Sequence, residues 1–228
     1  SWSMGITHHD HGVENVESIA NLALLRGMVG KPNSGLLPLR GHSNVQGIGS
    51  VGVTPVLKEK IFHNIEKELG IKLPHEPGMD IMSCMHAAYQ NKVDFAFFLG
   101  GNLFSANPDR QYMEKAFNNI PFKVYLNTTL NAGHFHGVDK EVLILPCAAR
   151  DEEKQSTSQE SMFSFVRISD GGLVRLNNVK SEIDIICEIA EKIIESSTLN
   201  FSEFKNHKNI RASISKTIPG FKKLSEVD

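Results

Sequence analysis

Hydrophobic positions along the chain follow two spacings, and the change between them separates helices from strands. Apolar residues recur every three or four positions over 13–29, which predicts a helix that ends near Gly27 and Gly30. Short, almost continuous apolar runs instead predict buried strands. By these criteria further helices are expected over 56–69, 81–91, 108–118 and 182–196, and strands over 93–99, 122–126 and 141–146.

The alternation of strands and helices sets the expected fold class. Such an order predicts an α/β fold with a doubly wound, mainly parallel sheet and helices on both faces. We divide the chain into a helix with a glycine-rich loop (1–55), a dinucleotide-binding-like α/β domain (56–196) and a C-terminal extension (197–228). Within the middle part, residues 147–180 are polar and show no regular period.

Two groups of small and polar residues are candidates for ligand binding. The loop over 30–55 is rich in glycine, which permits close approach of the backbone to a ligand. The expected strands end at Gly100-Gly101-Asn102 and at Asn127-Thr128-Thr129, and ligands of doubly wound sheets bind at such ends. Ordinary turns and a solvated loop are the competing interpretations, because neither a GxGxxG fingerprint nor a Walker loop is present.

Four stretches of sequence resemble one enzyme family. The stretches are Asn-Leu-Ala-Leu-Leu-Arg-Gly-Met-Val-Gly-Lys-Pro at 21–32, Leu-Pro-Leu-Arg-Gly-His-Ser-Asn-Val-Gln-Gly at 37–47, Phe-Leu-Gly-Gly-Asn at 98–102 and Val-Leu-Ile-Leu-Pro at 142–146. They resemble the catalytic subunits of bis-molybdopterin guanine dinucleotide oxidoreductases, and within these the formate dehydrogenase-like alpha subunits. The resemblance covers about residues 13–195 and only a middle portion of that longer subunit.

The resemblance implies a role for individual residues. Arg40 matches an arginine that orients an anionic substrate near molybdenum. The other implied residues all contact the cofactor: His42, Ser43, Asn44 and Gln46 along the pterin dinucleotide, Gly101, Asn102, Asn127 and Thr128 at its nucleotide end, and Gln155, Gln159, Glu160 and Ser161 in a later pterin loop. One departure is His42, which stands where formate dehydrogenases have glutamine.

The resemblance also implies cofactors and partners. The whole enzyme would carry molybdopterin guanine dinucleotide with molybdenum, and an iron–sulfur cluster is expected only outside this chain. Expected partners are a small anionic substrate, the remaining domains of the same polypeptide and an electron-transfer partner. The chain by itself is expected to be inactive, because the molybdenum ligand and the second cofactor domain would lie elsewhere in the polypeptide.

Composition and charge limit the partners and the cellular settings that the sequence allows. The formal net charge is −2, which argues against a nucleic-acid partner, and apolar runs are too short for a membrane segment. The three cysteines lie far apart, which argues against a disulfide framework and favours a cytoplasmic setting. An export signal before residue 1 stays an open alternative.

Two other polar clusters are interpreted as loop or surface features without a role in catalysis or metal binding. His134 and His136 form an HxH pair that could bind zinc, but a plain loop is favoured because no third ligand is evident. The acidic run over 151–153 is more typical of a solvated face than of a catalytic pair. Two functional alternatives to an enzyme fragment remain, a non-catalytic nucleotide- or pterin-binding module and a purely structural α/β domain.

Overall fold

The computed structural model of the protein describes residues 1–39, 42–54, 56, 58–161, 163, 165–195 and 198–227. The α-helices are α1 (Met4–Thr7), α2 (Gly12–Leu25), α3 (Val45–Ser50), α4 (Glu59–Leu69), α5 (Ile81–Tyr89), α6 (Leu103–Ala106), α7 (Arg110–Asn118), α8 (Glu182–Ile193), α9 (Phe201–Phe204) and α10 (His207–Thr217). The strands are β1 (Phe95–Leu99), β2 (Phe122–Asn127), β3 (Glu141–Pro146), β4 (Thr157–Glu160) and β5 (Val166–Ser169). Short 3₁₀ helices cover Ala132–Phe135, Arg150–Glu152 and Lys222–Glu226.

The first three strands form one parallel sheet in the order β1-β2-β3. Phe98 pairs with Tyr125, and Tyr125 pairs with Ile144. The α/β class and the parallel pairing predicted from the sequence are therefore confirmed. Because all three strands run the same way, their carboxyl ends lie along one edge, where the chain leaves the sheet in small and polar residues.

Helices α5, α6 and α7 supply the core on one face of this sheet. Met85, Phe104, Met113 and Phe117 pack with Tyr125 of the central strand in a buried cluster. The Phe98 ring stacks on the Tyr125 ring with centroids 4.6 Å apart. Burial of such side chains stabilises the fold by roughly 1.5–3 kcal/mol each, so this face fixes the strands and their ends.

The opposite face of the sheet is partly open to solvent. Val124 and Leu126 in β2 are buried, but Phe95 and Leu99 in β1 are 53% and 54% exposed. Leu143 in β3 is 45% exposed. The prediction that 93–99 forms a buried strand is therefore wrong for one of its faces, because periodicity alone cannot tell what packs against a strand.

Lys123 in β2 is a buried cation, and its side chain binds backbone carbonyls at the C-terminal end of α7. The ammonium group donates hydrogen bonds to the carbonyls of Phe117, at 3.0 Å, and of Ile120, at 2.7 Å. Carbonyls at a helix C-terminus lack partners within the helix, so a cation is favourable there. Burial lowers the pKa of Lys123 from its ordinary value of 10.5.

Local signals at the helix ends are confirmed. The side chains of Asp80, Asp109 and Ser181 each accept a hydrogen bond from a first-turn backbone nitrogen of α5, α7 and α8. Gly70 ends α4 in the left-handed region, at φ +65°. These positions need a side-chain acceptor or a glycine, and for this reason the sequence reveals them.

Three segments differ from the expectation. The glycine loop over 30–55 contains α3, and the segment over 147–180, expected to be irregular, contains the antiparallel pair of β4 and β5. The extension from 197 onward forms α9, α10 and a 3₁₀ helix. β4 contains only polar residues and β5 has just four, so neither strand carries enough hydrophobic pattern to be detected.

The three-part division of the chain stays a prediction. Hydrogen bonds cross both proposed boundaries, from Glu160 to Asn44 and from Gln155 to Lys205. Among the residues that the structure describes, no helix is long and apolar enough to cross a membrane.

Candidate functional site

The turn after β1 brings backbone close to the carboxyl edge of the sheet. Gly100 and Gly101 both have positive φ, +64° and +74°, a conformation that side chains oppose. The Gly100 nitrogen donates to the Leu126 carbonyl at 2.8 Å, which ties the turn to β2. Asn102 then accepts from the Ser105 nitrogen at 3.3 Å and begins α6.

The end of β2 carries a buried pair of polar side chains, Asn127 and His134. Both are over nine-tenths buried, and the Asn127 amide contacts Nε2 of His134. His134 Nδ1 lies 3.0 Å from the backbone nitrogen of Asn131, which can only donate. In the neutral ring the proton must therefore sit on Nε2.

This tautomer decides which way the Asn127 amide faces. With the Asn127 amide nitrogen beside Nε2, two donors would face each other. The hydrogen-bond pattern therefore puts the amide oxygen beside Nε2. The amide nitrogen then takes the place of Oδ1, which has no hydrogen-bond partner among the described protein atoms. His134 thereby makes Asn127 a donor toward any acceptor at the strand end.

A second buried polar atom lies on the same strand. The Tyr125 hydroxyl has no hydrogen-bond partner among the described residues. Burial raises the pKa of Tyr125 to about 12, so the group stays a neutral donor at physiological pH. Polar groups left without partners in an interior cost free energy and mark places where a ligand can supply the missing bond.

The turns after β1 and β2 are packed directly together. A Cβ atom on Gly133 would overlap the amide oxygen of Asn102, so a side chain there would displace the Asn102 amide from the start of α6. Asn131 accepts from the Gly133 nitrogen at 2.9 Å and holds the 3₁₀ turn. The predicted residues Asn102 and Asn127 thus belong to one cluster, which we call the strand-end cluster: Gly100, Gly101, Asn102, Asn127, Asn131, Gly133 and His134.

A second cluster joins the glycine loop to β4. The Asn44 amide oxygen accepts from the Glu160 nitrogen at 2.9 Å, across 116 residues of sequence. Asn44 has φ +59°, where asparagine is tolerated better than most side chains. We call Asn44, Gln159, Glu160 and Ser161 the loop cluster.

The hairpin of β4 and β5 contains two residues of the loop cluster. Gln159 pairs with Arg167 and Glu160 with Val166. One carboxylate oxygen of Glu160 is buried and has no hydrogen-bond partner among the described residues. Glu160 and Asn44 line a cavity of about 150 Å³, and a carboxylate there can accept from N–H groups of a ligand ring.

The other predicted cofactor residues differ in their surroundings. His42, Ser43 and Thr128 are exposed, and Gln46 is half-buried in α3. Both polar atoms of the Gln155 amide bind backbone of the C-terminal segment. Arg40 lies outside the described residues, and its substrate role stays a prediction.

The HxH pair and the acidic run have ordinary explanations. His134 binds Asn127 and Asn131, whereas the His136 ring stacks on Phe104 with centroids 4.5 Å apart. Among the described residues no group of three or more His, Cys, Asp or Glu side chains could hold a metal. Asp151 is exposed and forms an ion pair of 3.3 Å with Arg175.

Sequence reasoning missed several residues that shape the site. Asn131 and Gly133 follow β2 by only a few positions, and their Asn-x-Gly pattern could have indicated an ordered turn. After Asn206, isoleucine recurs every four residues, at Ile210, Ile214 and Ile218. This spacing could have predicted the helix α10.

The chain matches known proteins over most of its length. A family model described as molybdopterin oxidoreductase matches residues 1–192. An uncharacterized oxidoreductase of Mycobacterium tuberculosis (strain ATCC 25618 / H37Rv) is 34% identical over 229 residues, which cover 96% of this chain and 29% of that protein. Protein YdeP of Escherichia coli (strain K12) is 31% identical over 228 residues, 96% of this chain and 30% of that protein.

A further relative has a more specific name. A protein of Staphylococcus haemolyticus, named provisionally as a formate dehydrogenase, is 28% identical over 200 residues, 84% of this chain and 20% of that protein. The chain thus spans about 30% of the length of the first relatives it matches.

Proposed function

The chain belongs to the molybdopterin oxidoreductase family, and we propose that it holds part of a molybdopterin guanine dinucleotide within a longer oxidoreductase. In this proposal the strand-end cluster contacts the guanine nucleotide and the loop cluster contacts the pterin. The remaining domains of the polypeptide would complete the active site. A family match by itself supports a molybdenum–pterin cofactor, and the assignment of its two ends to the two clusters is ours.

The observation that carries the proposal is the hydrogen bond between Asn44 and Glu160. The segment near residue 44 contacts the segment near residue 160. The resemblance assigns each of these segments to the same cofactor independently. An asparagine at positive φ and a buried carboxylate oxygen without a hydrogen-bond partner among the described residues lie at one cavity. The contact between these two segments is therefore the feature that favours a ligand site.

The residues present fit the chemistry of the cofactor. Guanine and pterin both offer ring N–H donors, for which Glu160 supplies an unpartnered carboxylate oxygen. Phosphates and ring carbonyls need donors, which the Asn127 side chain and the backbone amide of Gly101 supply. When bound in the whole enzyme, the molybdenum would take two electrons from a small substrate and pass them on.

We infer a small anionic substrate, with formate as one candidate. Arg40 carries this inference through its match to the family, because a guanidinium can bind a carboxylate with two parallel hydrogen bonds. His42 stands where formate dehydrogenases have glutamine, so the substrate can differ from formate. Steady-state kinetics of Arg40→Lys in the longer polypeptide tests the assignment, with an expected loss of about 10- to 150-fold in kcat/KM.

A nucleotide titration tests the site assignment in this chain. GDP, which carries the base and phosphates of the cofactor's nucleotide half, is added to ¹⁵N-labelled protein and compared with ADP. The proposal expects GDP to shift the amide signals of Gly100, Gly101 and Thr128 at concentrations where ADP leaves them unchanged. Equal shifts with both nucleotides would favour a non-selective nucleotide module, and no shift with either would favour a purely structural domain.

A further inference from the structure

Two side chains of α10 hold a single carbonyl group just before β4. Arg211 Nη1 lies 3.0 Å and His207 Nδ1 lies 3.1 Å from the Ser156 oxygen. Both side chains are more than nine-tenths buried. Because a carbonyl only accepts, His207 carries a proton on Nδ1. Two buried donors on one carbonyl fix the backbone at Ser156.

Gln155 completes this attachment. Its amide oxygen accepts from the His207 nitrogen at 2.9 Å, and its amide nitrogen donates to the Lys205 carbonyl at 2.8 Å. Four hydrogen bonds therefore join Gln155 and Ser156 to the start of α10. We call these four bonds the α10 clamp.

The clamp lies between a fixed helix and the loop cluster. On one side, the Asn64 side chain in α4 donates to the Thr217 carbonyl at 2.9 Å and holds the end of α10. On the other side, Ser156 leads directly into β4, whose last residue, Glu160, binds Asn44. A strand of four residues has little freedom to turn when its first end is fixed. The position of α10 thus sets the direction in which Gln159 and Glu160 point.

We propose that α10 is a positioning helix for the cofactor, with Arg211, His207 and Gln155 holding β4 in its binding orientation. In this proposal Gln155 acts through the clamp and does not itself contact the cofactor. The clamp residues Lys205, His207 and Arg211 lie beyond residue 192, where the match to the family model ends. The identity of the bound group rests on the proposed function, and the clamp itself rests on the four hydrogen bonds.

The experiment compares three substitutions in the full chain, co-expressed with the enzymes of molybdopterin synthesis. Arg211→Met removes the donor to Ser156, Arg211→Lys keeps a cationic donor, and Lys208→Met changes an exposed residue of the same helix as the matched control. Hydrogen exchange followed by mass spectrometry reports the backbone amides of β4. Pterin retained per chain is measured as its fluorescent oxidation product.

The clamp predicts that Arg211→Met speeds exchange in β4 and lowers retained pterin about tenfold or more, the effect of one lost charge-assisted hydrogen bond. Arg211→Lys should restore most of both readouts, and Lys208→Met should leave both unchanged. Unchanged exchange and unchanged pterin in Arg211→Met would overturn the proposal. If the unsubstituted chain retains no pterin, the proposed function fails, and the exchange data alone decide whether the clamp exists.

Gln155→Met provides a second route if Arg211→Met does not fold. It keeps the length of the side chain and removes two of the four hydrogen bonds. The clamp predicts faster exchange in β4 together with loss of pterin. Loss of pterin with unchanged exchange would instead make Gln155 a direct cofactor contact and would overturn its role in the clamp.

Discussion

Asn44 accepts a hydrogen bond of 2.9 Å from the backbone nitrogen of Glu160, and this bond joins the glycine loop to β4. Asn44 also holds a positive φ of +59° at the start of α3. One residue therefore combines a backbone conformation that few side chains accept with a contact 116 positions away.

Two substitutions separate these contributions of Asn44. Asn44→Gly keeps the left-handed conformation but loses the hydrogen bond, so we expect a loss of about 0.5–1.5 kcal/mol in unfolding free energy. Asn44→Ala loses the bond and also strains the backbone, which adds about 1 kcal/mol. Urea denaturation of both variants measures the difference. An alanine variant as stable as the glycine variant would contradict the strained conformation.

A side chain at position 133 is expected to destabilise the chain while Asn102 is present. A Cβ there overlaps the Asn102 amide, so Gly133→Ala should destabilise the chain by roughly 1–3 kcal/mol. Adding Asn102→Ala should recover part of this loss, because it removes the overlapping atom. A double-mutant cycle by thermal denaturation checks the coupling, and purely additive effects would show that the two turns are not packed together.

His134 should carry its proton on Nε2 in the neutral form. The Asn131 nitrogen donates to Nδ1 and leaves only Nε2 for the proton. Long-range ¹H–¹⁵N spectra of labelled protein distinguish protonated from unprotonated ring nitrogens directly. A protonated Nδ1 would remove the reason for turning the Asn127 amide, and with it the donor that we assign to the strand end.

Stability at alkaline pH should report the burial of Lys123. Its folded pKa is lowered by burial, so between that pKa and 10.5 the folded chain binds fewer protons than the unfolded chain. Unfolding free energy contributed by Lys123 therefore rises with pH across this window. The stability of the unsubstituted chain relative to Lys123→Met should grow as pH approaches 10.5.

The comparison with Lys123→Met cancels the contributions to stability of other groups that titrate at alkaline pH. Burial raises the pKa of Tyr125 to about 12 and that of Cys147 to about 11, so both groups make stability fall as pH rises through their windows. Both are present in the two chains, and their effects subtract. A stability difference that stays constant or shrinks with rising pH would contradict a lowered pKa at Lys123.

The sequence predicts those parts of the fold that local chemistry determines. Asp80, Asp109 and Gly70 mark helix ends because their side chains, or the lack of one, satisfy backbone groups nearby. The parallel sheet follows from the alternation of strands and helices. In the strand-end cluster, Gly101 and Asn127 were predicted from the positions at which apolar runs stop.

Contacts between distant segments could not be predicted in the same way. The hairpin of β4 and β5 was not predicted because β4 contains only polar residues and β5 alternates apolar and polar residues over just four positions. His134 was interpreted as a plain loop residue, since nothing in the sequence indicates that its ring meets Asn127. The hydrogen bonds of the Gln155 amide to Lys205 and His207 likewise depend on tertiary packing, because about 50 residues separate the partners in sequence.

Molybdenum and guanine nucleotide in the purified chain test the central claim most directly. The chain is co-expressed with the enzymes of molybdopterin guanine dinucleotide synthesis, molybdenum is measured by mass spectrometry, and GMP is measured after acid release. We expect both to co-purify with the unsubstituted chain and to fall together in Asn44→Gly, which weakens the loop cluster. Neither component above the level of an unrelated control protein would contradict the claim that this chain holds the cofactor.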